Sequence, residues 1–228
     1  MADRRTYGDL CGIARALDLV GERWALLVVR ELLLGPKRFT DLRTGLPHVS
    51  PNVLAQRLRE LEESGIVRRE KLPPPAASQV YELTARGHEL EEVVLSLGRW
   101  GSRTPVPPDT EMSVDSYVLA LKTLFDPGAA DGMDATYGLR LGEDRFTATI
   151  VDGSFEIVRG EARNPEAALA MERQTLAELL WQGRSLPDAV RAGDAQVEGD
   201  ERAAAGFLKL FIQPEPADAA ETAGAGGL

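Results

Sequence analysis

The stretch Ser50–Lys71, SPNVLAQRLRELEESGIVRREK, decides the fold of the first half of this chain. A serine followed by a proline is typical of a helix N-terminus, because the hydroxyl caps a free backbone N–H and proline suits the first helical position. Leu54, Leu58 and Leu61 recur at helical spacing, and Gly65 predicts the end of the helix. A short β-like run with three basic residues follows. This order is typical of a DNA recognition helix that leads into a basic wing.

The charge of the chain is divided unevenly between its two halves. The 228 residues carry a formal net charge of −10 at pH 7, which by itself disfavours a polyanionic partner. Residues 1–100, however, hold 15 Lys and Arg against 14 Asp and Glu, whereas the rest hold 11 against 22. Residues 35–59 contain five basic residues and one acid, Asp41. The first half therefore carries the locally basic strip that phosphate contact requires.

The elements around the opening stretch predict a mainly helical domain. Residues 11–35 predict two apolar-rich helices separated near Gly21, the second ended by Gly35 and Pro36. The predicted order continues with a short helix in FTDLRTG capped by Thr40, the helix after Ser50, strands in IVRREKL and SQVYELT joined by the loop PPPAA, and a last helix from Thr84 to Arg99. A helical segment followed by a two-stranded wing predicts a winged helix-turn-helix.

The second half predicts a separate α+β domain beyond the proline-rich stretch at residues 101–112. TYGLRLG, RFTATIVDG and SFEIVRG alternate with period two and predict an antiparallel meander. Helices are predicted in QTLAELLWQG, SLPDAVRAG and ERAAAGFLKLF, with a short strand in AQVEGD. Periodicity alone leaves EAALAMER open between helix and edge strand. The sheet should hold four or five strands.

The first half resembles the HxlR family of bacterial winged-helix regulators, relatives of the MarR group, over roughly residues 8–102. The marks are Cys11, Gly-Glu-Arg-Trp at 21–24, Gly-Pro-x-Arg-Phe at 35–39, SPNVLAQRLRELEESGIV, and Tyr81 with Leu-Thr-x-x-Gly at 83–87. The resemblance implies a homodimeric transcription regulator that binds double-stranded DNA at pseudo-palindromic operators.

The second half looks like a sterol carrier protein-like domain, on YGLRLGEDRFTATIVDGSFEIVRGEA, TLAELLWQGRSLPDAV and VEGDERAAAGFLKLF. That resemblance implies an α/β sandwich with helices on one sheet face, an apolar ligand tunnel, and a strand in EAALAMER. We therefore expect a winged helix-turn-helix DNA-binding and dimerisation domain at residues 1–104, a linker at 105–114, the α+β domain at 115–213 and a disordered tail at 214–228.

The candidate DNA-binding residues lie in the basic strip and the wing. The face of the recognition helix opposite its leucines carries amides and a guanidinium that suit adenine, guanine or phosphate. The wing carries cations for phosphate or the minor groove, although alternate strand residues face opposite sides. The full candidate set is Lys37, Arg38, Ser50, Asn52, Gln56, Arg57, Arg59, Arg68, Arg69, Lys71, Ser78 and Gln79. The alternative for each is an ordinary charged surface.

Apolar residues of the second half are candidates to line a ligand cavity. They are Leu139, Leu141, Phe146, Ile150, Phe155, Ile157, Met171, Leu176, Leu180, Trp181, Phe207 and Phe211. The alternative is that they form the core that any domain of this size needs.

Cys11 is a redox candidate, since some HxlR relatives sense oxidants through a cysteine near the N-terminus, and Arg15 one turn on would lower its pKa. The alternative is a small buried hydrophobic residue. His48 and His88 are far apart, so no metal site is expected, and no cofactor is expected. Motifs of catalytic sites are missing from the sequence, which argues against an enzyme. Without a signal-peptide pattern at its start or a long apolar run, the chain is expected to be cytoplasmic.

Together these features predict a homodimeric, DNA-binding regulator, and the family favours a repressor. Its second domain would bind an apolar small molecule or support dimerisation, and no membrane partner is expected. The first helix and the helix at 85–100 would form the dimer interface. Two alternatives stay open: a redox regulator that uses Cys11, and a lipid-binding or scaffold protein in which DNA binding is vestigial.

Overall fold

The computed structural model describes residues 6–72, 78–104 and 112–212, which form two compact units that divide between Val94 and Leu95. The predicted loop PPPAA, residues 105–111 of the predicted linker and the predicted tail lie outside the described residues.

The first unit is a winged helix-turn-helix. Its elements are α1 (Gly12–Val20), α2 (Ala25–Leu32), α3 (Phe39–Gly45), α4 (Pro51–Glu63), β1 (Val67–Lys71), β2 (Gln79–Leu83), α5 (Ala85–His88) and α6 (Glu91–Gly101), which crosses the division. The strands β1 and β2 pair antiparallel and form the wing. The helix-turn-helix is made by α3 and α4, as predicted.

The leucines of the opening stretch hold α4 in place. Leu54, Leu58 and Leu61 are buried in one cluster with Val28 and Leu32 of α2. Burial of each such side chain is worth about 1.5–3 kcal/mol. The polar residues between the leucines are therefore turned to the opposite side of the helix.

The ends of α4 follow the predicted signals. The Ser50 hydroxyl accepts a hydrogen bond from the Val53 amide at 3.4 Å, and Pro51 is the first helical residue. Gly65 just beyond the helix has φ +67°, a left-handed conformation that glycine adopts without strain. These local signals place the recognition helix correctly.

The N-terminus of α3 corrects one prediction. The helix begins at Phe39, so Thr40 lies inside its first turn and is not the cap. The backbone N–H of Arg38 donates to Asp41 Oδ2 at 3.0 Å instead. The carboxylate of Asp41, three residues into the helix, is a stronger acceptor than the Thr40 hydroxyl, and its negative charge is favourable at a helix N-terminus.

The predicted helix from Thr84 to Arg99 is two helices. Thr84 does cap the first, since its hydroxyl accepts from the Gly87 amide at 3.0 Å. The Leu90 amide then bonds to the Gly87 carbonyl, three residues back rather than four, and α5 ends there. The Val94 amide bonds to the Leu90 carbonyl and starts α6.

The second unit has an α+β fold. Its elements are α7 (Val114–Leu124), β3 (Ala135–Leu141), β4 (Asp144–Val151), β5 (Ser154–Arg159), β6 (Ala167–Met171), α8 (Arg173–Trp181), α9 (Leu186–Ala192), β7 (Ala195–Gly199) and α10 (Glu201–Leu208). The sheet order is β5-β4-β3-β6-β7, with β3 and β6 parallel and the other pairs antiparallel. The open segment EAALAMER is a strand, and α7 was not predicted.

One face of this sheet forms the core of the unit. Phe146, Ala148 and Ile150 alternate along β4 and are all buried. Their neighbour Thr147 faces the other side, as does Val158 of β5, which is exposed. Alternation of this kind is expected where helices cover a sheet on one face.

Within the described ranges, we find no helix that combines the length and apolar character needed to cross a bilayer.

Candidate nucleic-acid interface

The outer face of α4 presents an ordered row of polar side chains. Asn52 and Arg59 are exposed, and Gln56 lies between them and is partly exposed. Arg59 Nη2 donates to Gln56 Oε1 at 2.6 Å, and Gln56 Nε2 donates to Glu60 Oε1 at 2.7 Å. The row fixes the orientation of the Gln56 amide. Amides and guanidinium groups on one helix face match the donors and acceptors of bases in the major groove.

Two other candidates, Ser50 and Arg57, make contacts within the protein and do not belong to this polar row. Ser50 is used as the N-cap. The Arg57 guanidinium forms an ion pair with Glu60 and lies 3.7 Å from Glu22, and its side chain is only 13% exposed. Arg57 therefore joins α4 to the residues before α2 and is turned away from the polar face.

The two basic residues before α3 differ in the same way. Lys37 Nζ lies 2.5 Å from Glu31 Oε2, and the lysine side chain is 13% exposed. Arg38 is exposed, and its Nε donates to the Ser78 hydroxyl at 3.0 Å. Ser78 precedes β2, so this bond ties the helix-turn-helix to the wing.

The cations of the wing lie on both of its sides. Arg68 Nε is 2.6 Å from Glu82 on the neighbouring strand. Arg69 lies over the ring of Tyr81, with 5.1 Å from its guanidinium carbon to the ring centroid. Side chains of successive strand residues alternate between the two faces, so Arg68 and Arg69 leave the wing on opposite faces.

The last register pair between β1 and β2 is exposed. Lys71 and Gln79 form this pair. They stand beyond the ion pairs of Arg68 and Arg69. A charged and an amide side chain at a wing end suit contact with phosphate or with minor-groove edges.

Cys11 lies at a helix start and not in a core. It is exposed and immediately precedes α1. Hydrogen bonds from the backbone of Ile13, and then of Ala14, lower the pKa of its thiol, because they stabilise the thiolate. Arg15, which was expected to lower the pKa of Cys11, does not contribute to this shift. A cavity of about 660 Å³ lies beside α1, lined by Arg15, Arg86 and Leu90 among others.

The two histidines both lie in the first unit. His48 precedes α4, His88 ends α5, and both side chains are exposed. Over residues 6–72, 78–104 and 112–212, no three His, Cys, Asp or Glu side chains are grouped so as to hold a metal ion.

The residues proposed for an apolar cavity pack against one another in the second unit. Nine of the twelve are buried: Leu139, Leu141, Phe146, Ile150, Ile157, Met171, Leu176, Phe207 and Phe211. Phe155, Leu180 and Trp181 are partly buried.

Aromatic rings occupy the centre of this group. The Phe207 ring lies 4.6 Å from Tyr137 and 5.1 Å from Phe211, and Phe155 lies 5.0 Å from Phe125, between ring centroids. A separate cavity of about 270 Å³ at the ends of β3 and β6 is lined by Arg140, Thr175, Gln196 and seven others, of which only Met171 belongs to the predicted set. The predicted tunnel residues thus have core contacts, and a role in ligand binding stays a prediction.

Comparison with known proteins places the first unit. A family model of the HxlR-like helix-turn-helix matches residues 19–107. The HTH-type transcriptional regulator YodB of Bacillus subtilis is 38% identical over 95 residues, which span 42% of this chain and 85% of YodB. The chain belongs to the HxlR-like helix-turn-helix family. It is a helix-turn-helix transcriptional regulator.

Other relatives match the same half of this HxlR-like chain. An uncharacterized HTH-type transcriptional regulator of Synechocystis is 39% identical over 95 residues, 42% of this chain and 70% of that protein. The reduced form of YodB is 35% identical and covers 44% of this chain and all of its own, with a TM-score of 0.38. The redox regulator HypR in its oxidized form is 34% identical, covers 42% and 100%, and has a TM-score of 0.39.

The second unit of this HxlR-like protein matches a different model. The alkyl sulfatase C-terminal family matches residues 110–217. The sterol carrier protein-like resemblance of the sequence stays a prediction.

The carboxylates that pair with the cations of this interface were not predicted from the sequence of this HxlR-like chain. Glu31 is buried in an otherwise largely apolar helix, and its carboxylate accepts from Arg30 Nη2 at 2.8 Å and from Lys37 Nζ. Burial raises the pKa of Glu31, but the two cations outweigh it and leave the pKa below its ordinary value. A glutamate within the largely apolar run LLVVRELLLG could have indicated a buried charged site.

Proposed function

We propose that this regulator acts as a homodimer that binds a pseudo-palindromic operator and represses transcription from it. The observation that carries the proposal is the polar face of α4, where Asn52, Gln56 and Arg59 stand opposite three buried leucines. This face has the composition of direct base readout in the major groove.

A second copy of the chain would cover the exposed apolar residues of the first and last helices of the DNA-binding half. Leu10 and Ile13 at α1 are 93% and 73% exposed, and Val93, Leu97 and Trp100 on α6 are 51%, 50% and 73% exposed. Apolar patches of this kind mark interaction surfaces. Pairing through them would place two recognition helices on successive major grooves, about 34 Å apart.

Selection of duplex DNA from a randomised pool tests the proposal. The native chain should enrich a sequence with two inverted half-sites. Replacing Gln56 and Arg59 by alanine should weaken binding to it by roughly 5- to 150-fold for each base that is no longer bound, since a bidentate pair is worth about 1–3 kcal/mol. Arg191→Ala is the matched control, because Arg191 is an exposed arginine of the acidic second unit. Full affinity in the doubly substituted protein would favour the scaffold alternative.

We propose in addition that the second unit modulates the dimer by binding an apolar small molecule or by extending the dimer interface. In the first role, an apolar ligand would have to separate the rings that pack around Phe207. A coupling of about 1–3 kcal/mol would change operator affinity by roughly 5- to 150-fold. Native mass spectrometry of the purified chain separates the roles, because it reports both subunit count and any bound apolar molecule.

Redox sensing by Cys11 is a second candidate function. The exposure of Cys11 and the lowered pKa of its thiol favour it, because thiolates react with oxidants and electrophiles. Operator release on treatment with a thiol oxidant should then disappear in Cys11→Ser. A Cys11→Ser protein that still releases DNA on oxidation would exclude this role.

A further inference from the structure

A buried carboxylate lies at the junction between α2 and the loop before α3. The side chain of Glu31 is fully inaccessible, and its two oxygens bind Arg30 and Lys37 at 2.8 and 2.5 Å. Gly45 at the end of α3 packs so closely that a Cβ atom there would overlap the carboxylate. Removing one partner of a buried ion pair is strongly destabilising, because it leaves the other charge buried without compensation. The ion pairs therefore hold the side chains of Glu31 and Lys37 in place.

The residue that Glu31 holds is part of the wing. The Lys37 amide donates to the Tyr81 carbonyl at 2.9 Å, and the Tyr81 amide donates to the Lys37 carbonyl at 2.8 Å. Lys37 thus adds one residue of a third strand to β2. Its neighbour Arg38 adds a side-chain bond to Ser78 at the start of the same strand.

The wing returns to the recognition helix through a second ion pair. Arg69 of β1 covers the Tyr81 ring and donates from Nη2 to Glu62 Oε2 of α4 at 3.0 Å. Since α2 and α4 share one core cluster, the contacts form a closed circuit. It runs from Glu31 to Lys37, to Tyr81, to Arg69 and to Glu62.

We propose that Glu31 is a positioning residue for operator recognition, which through Lys37 fixes the wing relative to α4. This rests on the proposed DNA-binding function. Without the carboxylate, Lys37 loses its buried charged partner, and the strand pair with Tyr81 loses its anchor on α2. The wing cations then fail to meet the phosphates at the same time as α4 meets the bases.

Glu31→Gln tests the proposal with a side chain of nearly the same shape. The probe is the duplex that the native chain selects from a randomised pool, titrated by fluorescence anisotropy at several salt concentrations. We expect affinity to fall about tenfold, and the salt dependence to become shallower by about two released ions per dimer, one phosphate for each wing. Exchange of the Tyr81 amide should also become faster in the free protein.

The salt dependence separates positioning from a loss of stability. Partial unfolding lowers the active fraction equally at each salt concentration and leaves the slope unchanged. Val20→Ala, which leaves a cavity on α1 rather than on α2 or α4, and Asp115→Asn, which changes a buried carboxylate in the second unit, are the matched controls and should keep the native slope. If Glu31→Gln does not fold, the pair Glu31→Gln and Lys37→Met removes both charges and carries the same expectation.

The outcomes are distinguishable. A native chain that selects no duplex would overturn the proposed function and this inference with it. A native chain that binds its duplex, beside a folded Glu31→Gln protein with the native slope and the native Tyr81 exchange rate, would overturn the inference alone.

Discussion

Replacing Ile13 by serine should dissociate the proposed dimer without unfolding the protein. Ile13 lies on α1 and is 73% exposed, so its side chain contributes little to the fold of the single chain. A second copy docked on α1 would bury it. Serine removes the apolar surface and introduces no charge.

The expected loss follows from the exposed fraction. Burial of a fully exposed isoleucine is worth about 1.5–3 kcal/mol, so the exposed 73% of Ile13 is worth about 1–2 kcal/mol in each subunit. A twofold interface buries both copies, which makes the total about 2–4 kcal/mol. At about 1.4 kcal/mol for each factor of ten, the dimer dissociation constant should rise roughly 30- to 1,000-fold.

Sedimentation equilibrium over a wide range of protein concentration measures this constant. Val190→Ser is the matched control, because Val190 is a 40% exposed valine on α9 of the second unit. Its dimer constant should equal the native one, and thermal unfolding of Ile13→Ser should remain native-like. Dissociation of Ile13→Ser and of the native chain at the same concentration would contradict a dimer interface at Ile13.

Three further substitutions test the buried charges. Glu31 has a folded-state pKa below its ordinary value of about 4.3, so its charge stabilises the fold above that pH, and this stability is lost as pH falls. In urea unfolding from pH 7 to 3, the free energy of unfolding should therefore fall less in Glu31→Gln than in the native chain. Gly45→Ala should destabilise the first unit by about 1–3 kcal/mol in the same assay, because its Cβ would overlap that carboxylate. Arg159→Met should cost about 3–5 kcal/mol in calorimetry, because it leaves the buried carboxylate of Asp115 without the guanidinium.

Two of these predictions have a matched control variant. Gly101→Ala places a methyl group in open space and should be nearly neutral. Arg145→Met removes an exposed arginine that lies 4.0 Å from Glu161 and should cost little. Equal acid sensitivity of native and Glu31→Gln protein, or costs for Gly45→Ala and Arg159→Met no larger than for their controls, would contradict the account of these sites.

The recognition helix was predictable because its signals are local. Ser50 and Pro51 start it, Gly65 follows its end, and the leucine spacing alone divides the core face from the polar face. The wing followed from alternation and turn residues in the same way. Both features depend on neighbours in sequence and were correctly predicted, whereas the cap of α3 and the break between α5 and α6 were not.

The pairing of charges was not predictable because it depends on distances across the fold. Arg57, Lys37 and Arg69 looked like free cations in the sequence, and the structure pairs each with a carboxylate. The partner of Arg69 is on α4, seven residues away, and no periodicity indicates that contact. The sequence alone therefore does not show which cations are paired within the fold.

The helix α7 was missed for a different reason. Tyr117, Val118, Leu119 and Leu121 are buried, and so are its polar residues near the start, so its apolar positions do not form one stripe. A helix that is buried nearly all round has a weak 3.6-residue period.

The most direct test of the central claim is binding of the native chain to its selected duplex, compared with a chain that carries Asn52→Ala, Gln56→Ala and Arg59→Ala together. These residues lie on the polar face of α4, outside the leucine core. We expect native folding and a loss of sequence preference, with affinity for the selected duplex reduced to that for a scrambled one. A folded triple variant that still prefers the selected duplex as strongly as the native chain does would contradict the central claim.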